Sequence, residues 1–139
     1  MKQINSKTVE ISQAVEPIFY ALSDFRNLAL MQNDKVQNMQ CTYDTCSFNV
    51  NGMADIALRI KERKPFEYIT IASDNEIMGG FSFFLNFIFE KTGERSCNLS
   101  AEATIDGNAI TLMMLKKQIQ NGLDMLMDGI KKGIEAQNI

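Results

Sequence analysis

Histidine is absent from all 139 residues. Its absence removes the side chain that titrates near neutral pH, the usual general base, the Ser/His and Cys/His pairs and the commonest metal ligand. Tryptophan is absent as well, and proline occurs only twice. Cysteine is scarce: Cys41, Cys46 and Cys97 are an odd number without CxxC spacing. Three thiols plus carboxylates make a poor zinc set. The cysteines therefore read as reduced, half-buried strand residues in a reducing compartment, and neither metal nor cofactor is expected. No run reaches the ~18 apolar residues of a membrane span. The most apolar stretch, Phe81 to Phe89, is short and broken by Ser82 and Asn86. Met1 to Ser12 has no apolar core ahead of a small-residue cleavage site, so no secretory signal is expected there and the cytoplasm is the expected compartment. Positive charge is also short: 14 Lys and Arg stand against 17 Asp and Glu, a net charge of -3. That balance lacks the electrostatic footprint of general nucleic-acid binding.

What remains is ordinary for a globular chain, at 45% hydrophobic and 22% charged, and the length suits one domain over residues 1–139. Lys7 to Ser12 alternates polar and apolar and reads as a strand. A helix then begins in Ser12 to Pro17; Pro17 is tolerated in a first turn, where its missing N–H would be unpaired anyway. Ile18, Phe19 and Leu22 form its apolar face. Ser23 or Asp24 can cap a second short helix that buries Phe25, Leu28 and Met31.

Strand signals follow almost without interruption. Val36 to Tyr43 comes first, then an Asp44-Thr45 turn, then alternating Cys46, Phe48 and Val50. Asn51-Gly52 is a strong hairpin signal, because both residues tolerate positive φ. Ala54, Ile56, Leu58 and Ile60 alternate up to Pro65, and Phe66 to Ser73 is rich in strand formers. After a Gly79-Gly80 loop, Phe81, Phe83, Leu85, Phe87 and Phe89 form the clearest row in the chain. Gly93 turns it, Cys97 to Ile105 alternates again, and Asp106-Gly107 ends the strands. A closing helix over Ile110–Ala136 carries Leu115, Ile119, Leu123, Leu126, Ile130 and Ile134 at helical spacing, with Gly122, Gly129 and Gly133 on or beside that stripe. The order is β-α-α-β6-α. Short turns between successive strands imply an antiparallel meander, and one long helix is left to cover its apolar face. The expected fold is α+β, a seven-stranded antiparallel sheet gripping the final helix.

That order, together with the opening Val9-Glu10-Ile11-Ser12-Gln13-Ala14-Val15-Glu16-Pro17-Ile18-Phe19-Tyr20-Ala21-Leu22-Ser23-Asp24, resembles the START-like helix-grip superfamily. The superfamily includes the birch-pollen-allergen-like proteins and the polyketide cyclase/dehydrase and lipid-transport proteins. Its members often show a strand, a short helix with an apolar-aromatic centre and a Leu-x-Asp step into a second helix. They often carry a tryptophan late in that second helix; this chain has Met31 near the equivalent place. The resemblance implies a ligand cavity between sheet and final helix, and carries over no catalytic residue.

Leu58, Phe83, Leu85, Phe87, Leu99, Ala101, Leu115, Ile119, Gly122 and Leu126 are expected to line one apolar space. The competing reading of the same residues is plain core. Small residues at Ala101, Ala103 and Gly122 would either let helix and sheet approach closely or leave room. Met113, Met114, Met125 and Met127 suit an adaptable pocket or contact, or ordinary core filling. Arg59, Lys61, Arg63 and Lys64 read as a solvated strand edge or as a headgroup contact. Asp55 and Glu102 fall on the outward phase, away from any buried acid–base pair. Phe84 and Ile88 share the outer phase, joined by Tyr68 if its strand has the same phase, and a weak homodimer could form there. The leading function is binding of a small hydrophobic or amphipathic molecule, lipid- or polyketide-like. The alternatives are a polyketide cyclase/dehydrase-type enzyme, to which no residue set points, and a protein-interaction module with a filled cavity.

Overall fold

The computed structural model describes residues 2–27, 36–50, 52, 54–74 and 81–137. Leu28, Met31, Asn51 and the Gly79-Gly80 pair lie outside them. In chain order the elements are β1 (Lys2–Asn5), β2 (Val9–Ile11), α1 (Val15–Leu22), β3 (Val36–Cys41), β4 (Thr45–Val50), β5 (Ala54–Lys64), β6 (Tyr68–Ser73), β7 (Ser82–Gly93), β8 (Ser96–Asp106) and α2 (Ala109–Gln137). All strand pairs are antiparallel, in the order β1-β8-β7-β6-β5-β4-β3, with β2 also on β8. Among the described residues eight strand segments thus fill seven places, and the long closing helix makes the arrangement an α+β helix-grip.

The first strand starts earlier than its alternation suggests and is interrupted. Asn5 faces Glu102 and Val9 faces Leu99, so four steps on the edge strand match three on β8. The extra residue is a bulge. Ser6 fills it: its N–H donates to the Ala101 carbonyl and its Oγ accepts from the Ala101 N–H, both at 2.8 Å. Of the expected second helix, Phe25–Asn27 forms a 3₁₀ turn with Phe25 buried. Ser23 closes α1, its Oγ donating to the Phe19 carbonyl at 2.6 Å. Asp24 opens the 3₁₀ turn, its carboxylate accepting from the Arg26 backbone and guanidinium.

A second bulge lies in β5. Ile60 faces Ile71 and Glu62 faces Thr70, leaving Lys61 unopposed. One extra residue reverses the side-chain phase beyond it. Arg63 therefore faces Ile69 on the buried side, whereas strict alternation grouped it with Arg59 on the outside. Bulges also bend and twist a strand, which suits a sheet that must curve round a helix.

The inner face carries Ile4, Val9, Ile11, Ile60, Ile69, Ile71, Phe87, Phe89 and the inward row of β8 from Cys97 to Ile105, all buried. Two apolar clusters cover it. One joins Phe19, Phe87, Leu99 and Ala101 to Met127 and Ile130 of α2. The other joins Ile4, Phe81, Ala103 and Ile105 to Leu112 and Leu123. Burying each of these large side chains contributes about 1.5–3 kcal/mol.

The orientation of α2 is set by polar side chains on one flank. Gln120 Nε2 donates to the Asn5 carbonyl at 2.6 Å, and Asp124 Oδ1 accepts from the Lys7 N–H at 2.6 Å. Lys131 Nζ donates to the Glu10 carbonyl at 2.6 Å, and Glu135 accepts from the Ser12 N–H at 3.0 Å. Asp128 pairs with the Lys7 ammonium. Positions 120, 124, 128, 131 and 135 follow one side of a helix, and their partners run along the free edge of β1 and β2. The ladder satisfies edge groups that would otherwise template pairing with another chain. It also fixes which flank of α2 turns to the interior. At the helix start, Asn108 Oδ1 accepts from the Ile110 and Thr111 N–H groups at 2.9 and 3.3 Å, a side-chain N-cap.

Candidate functional site

The flank of α2 opposite the polar ladder carries Leu115, Ile119, Gly122, Leu126, Gly129 and Gly133. A Cβ built on any of the three glycines meets nothing among the described residues within 4 Å. Glycine is therefore not needed here for close approach of helix to sheet; this flank borders open space. Ala101 and Ala103 do not lie against Gly122. They sit under the clusters that hold Met127 and Leu123, where small sheet residues accommodate large helix ones.

The ten residues expected to form one lining separate into layers. Phe87, Leu99 and Ala101 are buried. Leu58, Phe83, Leu85, Leu115, Ile119 and Leu126 are inward-facing yet only half-buried. Phe83, Leu85, Leu115 and Ile119 pack on one cluster, Leu58, Leu85 and Leu126 on the other, and Leu85 bridges the two. Gly122 stands outside both, exposed on the helix flank. Met39 and Phe48, which are not in the expected set, share the inner face of β3 and β4 and are half-buried in the same way. Their sequence signal is alternation within the strand, Met39 with Cys41 and Phe48 with Cys46 and Val50; the β4–β5 register then sets Cys46 and Phe48 on the face of Leu58.

Arg63 closes one end of this face. Its side chain is 21% exposed. Nε donates to the Ser23 carbonyl and Nη2 to the Tyr43 carbonyl, both at 3.0 Å. Nη1 pairs with Asp44 at 2.8 Å, and the guanidinium lies 4.0 Å from the Tyr43 ring centroid. One side chain thus ties β5 to the end of α1 and to the β3–β4 turn, which falls at Tyr43-Asp44. Of the other basic residues, Arg59 is exposed and pairs with Asp74 at 3.1 Å, and Lys61 and Lys64 are exposed.

The cysteines depart from the expected three thiols. Cys41 and Cys46 are directly opposed across the β3–β4 hairpin, with Cα atoms 4.1 Å apart, and are joined as a disulfide. Cross-strand partners of this kind hold their Cβ atoms close enough to bond; a spacing of five in sequence does not display that proximity. Cys97 is fully buried, and burial pushes its thiol pKa up, so it is a poor nucleophile. Met127 is core, while Met113, Met114 and Met125 are exposed. Among the described residues, no three Cys, Asp or Glu side chains converge as a metal site, and no buried side-chain nitrogen or oxygen lacks a partner.

The outer face is polar. Tyr68 donates to Glu62 at 2.7 Å, a bond that raises the phenol's pKa, and Thr70 donates to Asn86 at 2.6 Å. These residues, with Glu67, Ile88, Phe89 and Glu102, surround a shallow depression of about 590 Å³ that is open to solvent and unconnected with the expected lining. The Thr70–Asn86–Glu102 rung separates Phe84 from the Tyr68–Ile88 pair. Phe84 is 49% exposed, while Tyr68 and Ile88 are half-buried, so the outer apolar surface is discontinuous.

A curved antiparallel sheet gripping a long C-terminal helix is the START-like, birch-pollen-allergen-like fold. Solved structures with the same arrangement include a conserved protein from Geobacillus kaustophilus, at a TM-score of 0.73 and 13% identity over 97% of this chain and 96% of that one. Norcoclaurine synthase from Thalictrum flavum, solved in complex with dopamine and hydroxybenzaldehyde, matches at a TM-score of 0.73 and 14% identity over 97% and 87%. A START superfamily protein from Mycobacterium smegmatis matches at 0.60 and 15% over 89% and 98%. At these identities the likeness is one of fold. No family profile and no curated protein matches the chain by sequence.

Proposed function

We propose that this chain, as a single domain over residues 1–139, binds a small hydrophobic or amphipathic molecule between the inner face of the sheet and the glycine-bearing flank of α2. Lipid- and polyketide-like compounds are the candidate ligands. The observation that carries the reading is the asymmetry of α2. One flank is held to the sheet edge by polar side chains, while the other presents Leu115, Ile119 and Leu126, incompletely covered, beside glycines with free space around them. Phe87, Leu99 and Ala101 would form the floor of the site and Leu58, Phe83 and Leu85 its wall. Apolar side chains on an inward face that stay half-exposed favour a guest that covers them. The fold supports the same reading, since a norcoclaurine synthase of similar structure is solved with two small aromatic molecules bound.

Titration with an environment-sensitive apolar fluorophore tests it. Saturable uptake by wild type and loss of uptake in a folded Gly122→Leu variant are expected; undiminished uptake by that variant would remove the ligand from this flank. Native mass spectrometry of the purified protein would reveal a co-purified ligand and its mass. We propose the cytoplasm as its compartment, where the Cys41–Cys46 disulfide of this structure would be kept reduced. Acid trapping in cells followed by mass analysis of alkylated cysteines reads the state of the Cys41–Cys46 pair, and a fully oxidised pair would move the protein to an oxidising compartment.

A further inference from the structure

The first turns of α2 carry a second apolar strip, on the side away from the sheet. Ile110, Met113 and Met114 are 71%, 76% and 75% exposed. They stand at i, i+3 and i+4, and Lys117 follows at i+7, so the four share one helix face. Lys116 beside them is also exposed. From Gly107 to Leu123 there is no acidic residue, although the whole chain has a net charge of -3. Asp106, at the end of β8, is the nearest carboxylate in sequence. The second half of the helix differs: Asp124, Asp128 and Glu135 alternate there with Lys131 and Lys132, and their acidic members serve the edge-strand ladder.

We propose that this strip docks on an anionic lipid surface, with Ile110, Met113 and Met114 entering the headgroup boundary and Lys116 and Lys117 meeting the phosphates. Three points favour a bilayer over a protein. The strip is convex, because it lies on the outside of a helix, so it offers no groove to a partner helix. Its charge is of one sign and complements an acidic surface. A contact with a second copy would set two strips of the same positive sign against each other, with no carboxylate between Gly107 and Leu123 to offset the repulsion. Methionine suits a boundary without fixed shape, since its flexible thioether adapts to mobile chains. The contact goes beyond ligand binding in the grip and uses different residues.

Flotation of the full chain tests the proposal, with vesicles of phosphatidylcholine alone and of equimolar phosphatidylcholine and phosphatidylglycerol. Wild type should bind the anionic vesicles, and more weakly at high salt. Lys116→Gln/Lys117→Gln should lose roughly fivefold in affinity per lysine on anionic vesicles. Met113→Gln/Met114→Gln should lose at least about tenfold, because several buried methylene equivalents are removed. Far-UV circular dichroism and an unchanged melting temperature establish that both variants are folded. Fluorophore uptake in solution should be the same in the methionine variant as in wild type, which separates this surface from the grip. Three outcomes would overturn the proposal: no partitioning of wild type, equal partitioning of wild type and both variants, or loss of fluorophore uptake in the methionine variant. A wild-type dimer in sedimentation that Met113→Gln/Met114→Gln dissolves would also overturn it, giving the strip to a second copy.

Discussion

Adding a methyl group at Gly122 and Gly129 asks directly whether the flank of α2 borders open space. Glycine in a helix interior costs about 0.8–1.0 kcal/mol relative to alanine, because it has more backbone freedom to lose on folding. Neither position has positive φ, and a Cβ at either meets nothing among the described residues within 4 Å. Each Gly→Ala change should therefore return nearly the whole intrinsic difference, with no packing penalty against it. The positions are seven residues apart, roughly 10 Å along the helix, so the effects should add to about 1.6–2 kcal/mol. For a domain of this size that corresponds to a rise in Tm of about 5–8 °C. Urea denaturation and calorimetry of the two single variants and the double variant measure it. A neutral or destabilising result at Gly122 would refute the reasoning: the methyl group would then be meeting protein, and the space proposed for a ligand would be filled. Measuring fluorophore uptake alongside adds a second constraint, since alanine should leave uptake nearly intact while Gly122→Leu removes it.

Arg63→Lys should destabilise by about 2–3 kcal/mol in urea denaturation, because an ammonium cannot serve the Ser23 and Tyr43 carbonyls and the Tyr43 ring at once; a loss below about 0.5 kcal/mol would return Arg63 to the solvated strand edge. Cys97 should resist iodoacetamide in the native protein and react fully in denaturant. Burial raises its thiol pKa above the ordinary 9.0, so the native state keeps a proton that the unfolded chain releases, and stability should fall as pH rises through and above 9.0; a pH-independent stability across that range would count against it. Self-association through the outer face should be weak and centred on Phe84, the exposed member of that surface. Sedimentation across a concentration series should show Phe84→Lys remaining monomeric where wild type begins to associate, and identical behaviour of the two would place any contact elsewhere.

The strands from β4 to β8 and the closing helix were legible because their signals are local. A pleated strand alternates its side chains every residue, so Phe83, Leu85, Phe87 and Phe89 declare a common face without reference to any neighbour. The heptad-like spacing of Leu115, Ile119, Leu123, Leu126 and Ile130 does the same for α2. The start of the edge strand was not legible: in Lys2–Asn5 the single apolar residue, Ile4, makes no pattern, and the strand is recognised only by its pairing with β8. The inward turn of Arg63 was hidden for the same reason. Its alternation with Arg59 and Lys61 is intact in sequence, and the extra residue at Lys61 exists only relative to the register of β6. The proximity of Cys41 and Cys46 likewise depends on where the hairpin turns.

At the candidate site the division is similar. The sequence by itself determined which side chains face inward, and those assignments include Leu58, Phe83 and Leu85. It could not determine how far each is covered, because coverage depends on which flank of α2 turns toward the sheet. That choice is made by Gln120, Asp124, Lys131 and Glu135 meeting the backbone of β1 and β2, more than a hundred residues away in the chain. Periodicity assigns a face from neighbours a few residues apart, whereas register and helix rotation are settled by hydrogen bonds between distant segments, so only the tertiary structure left one flank of α2 bound and the other beside open space.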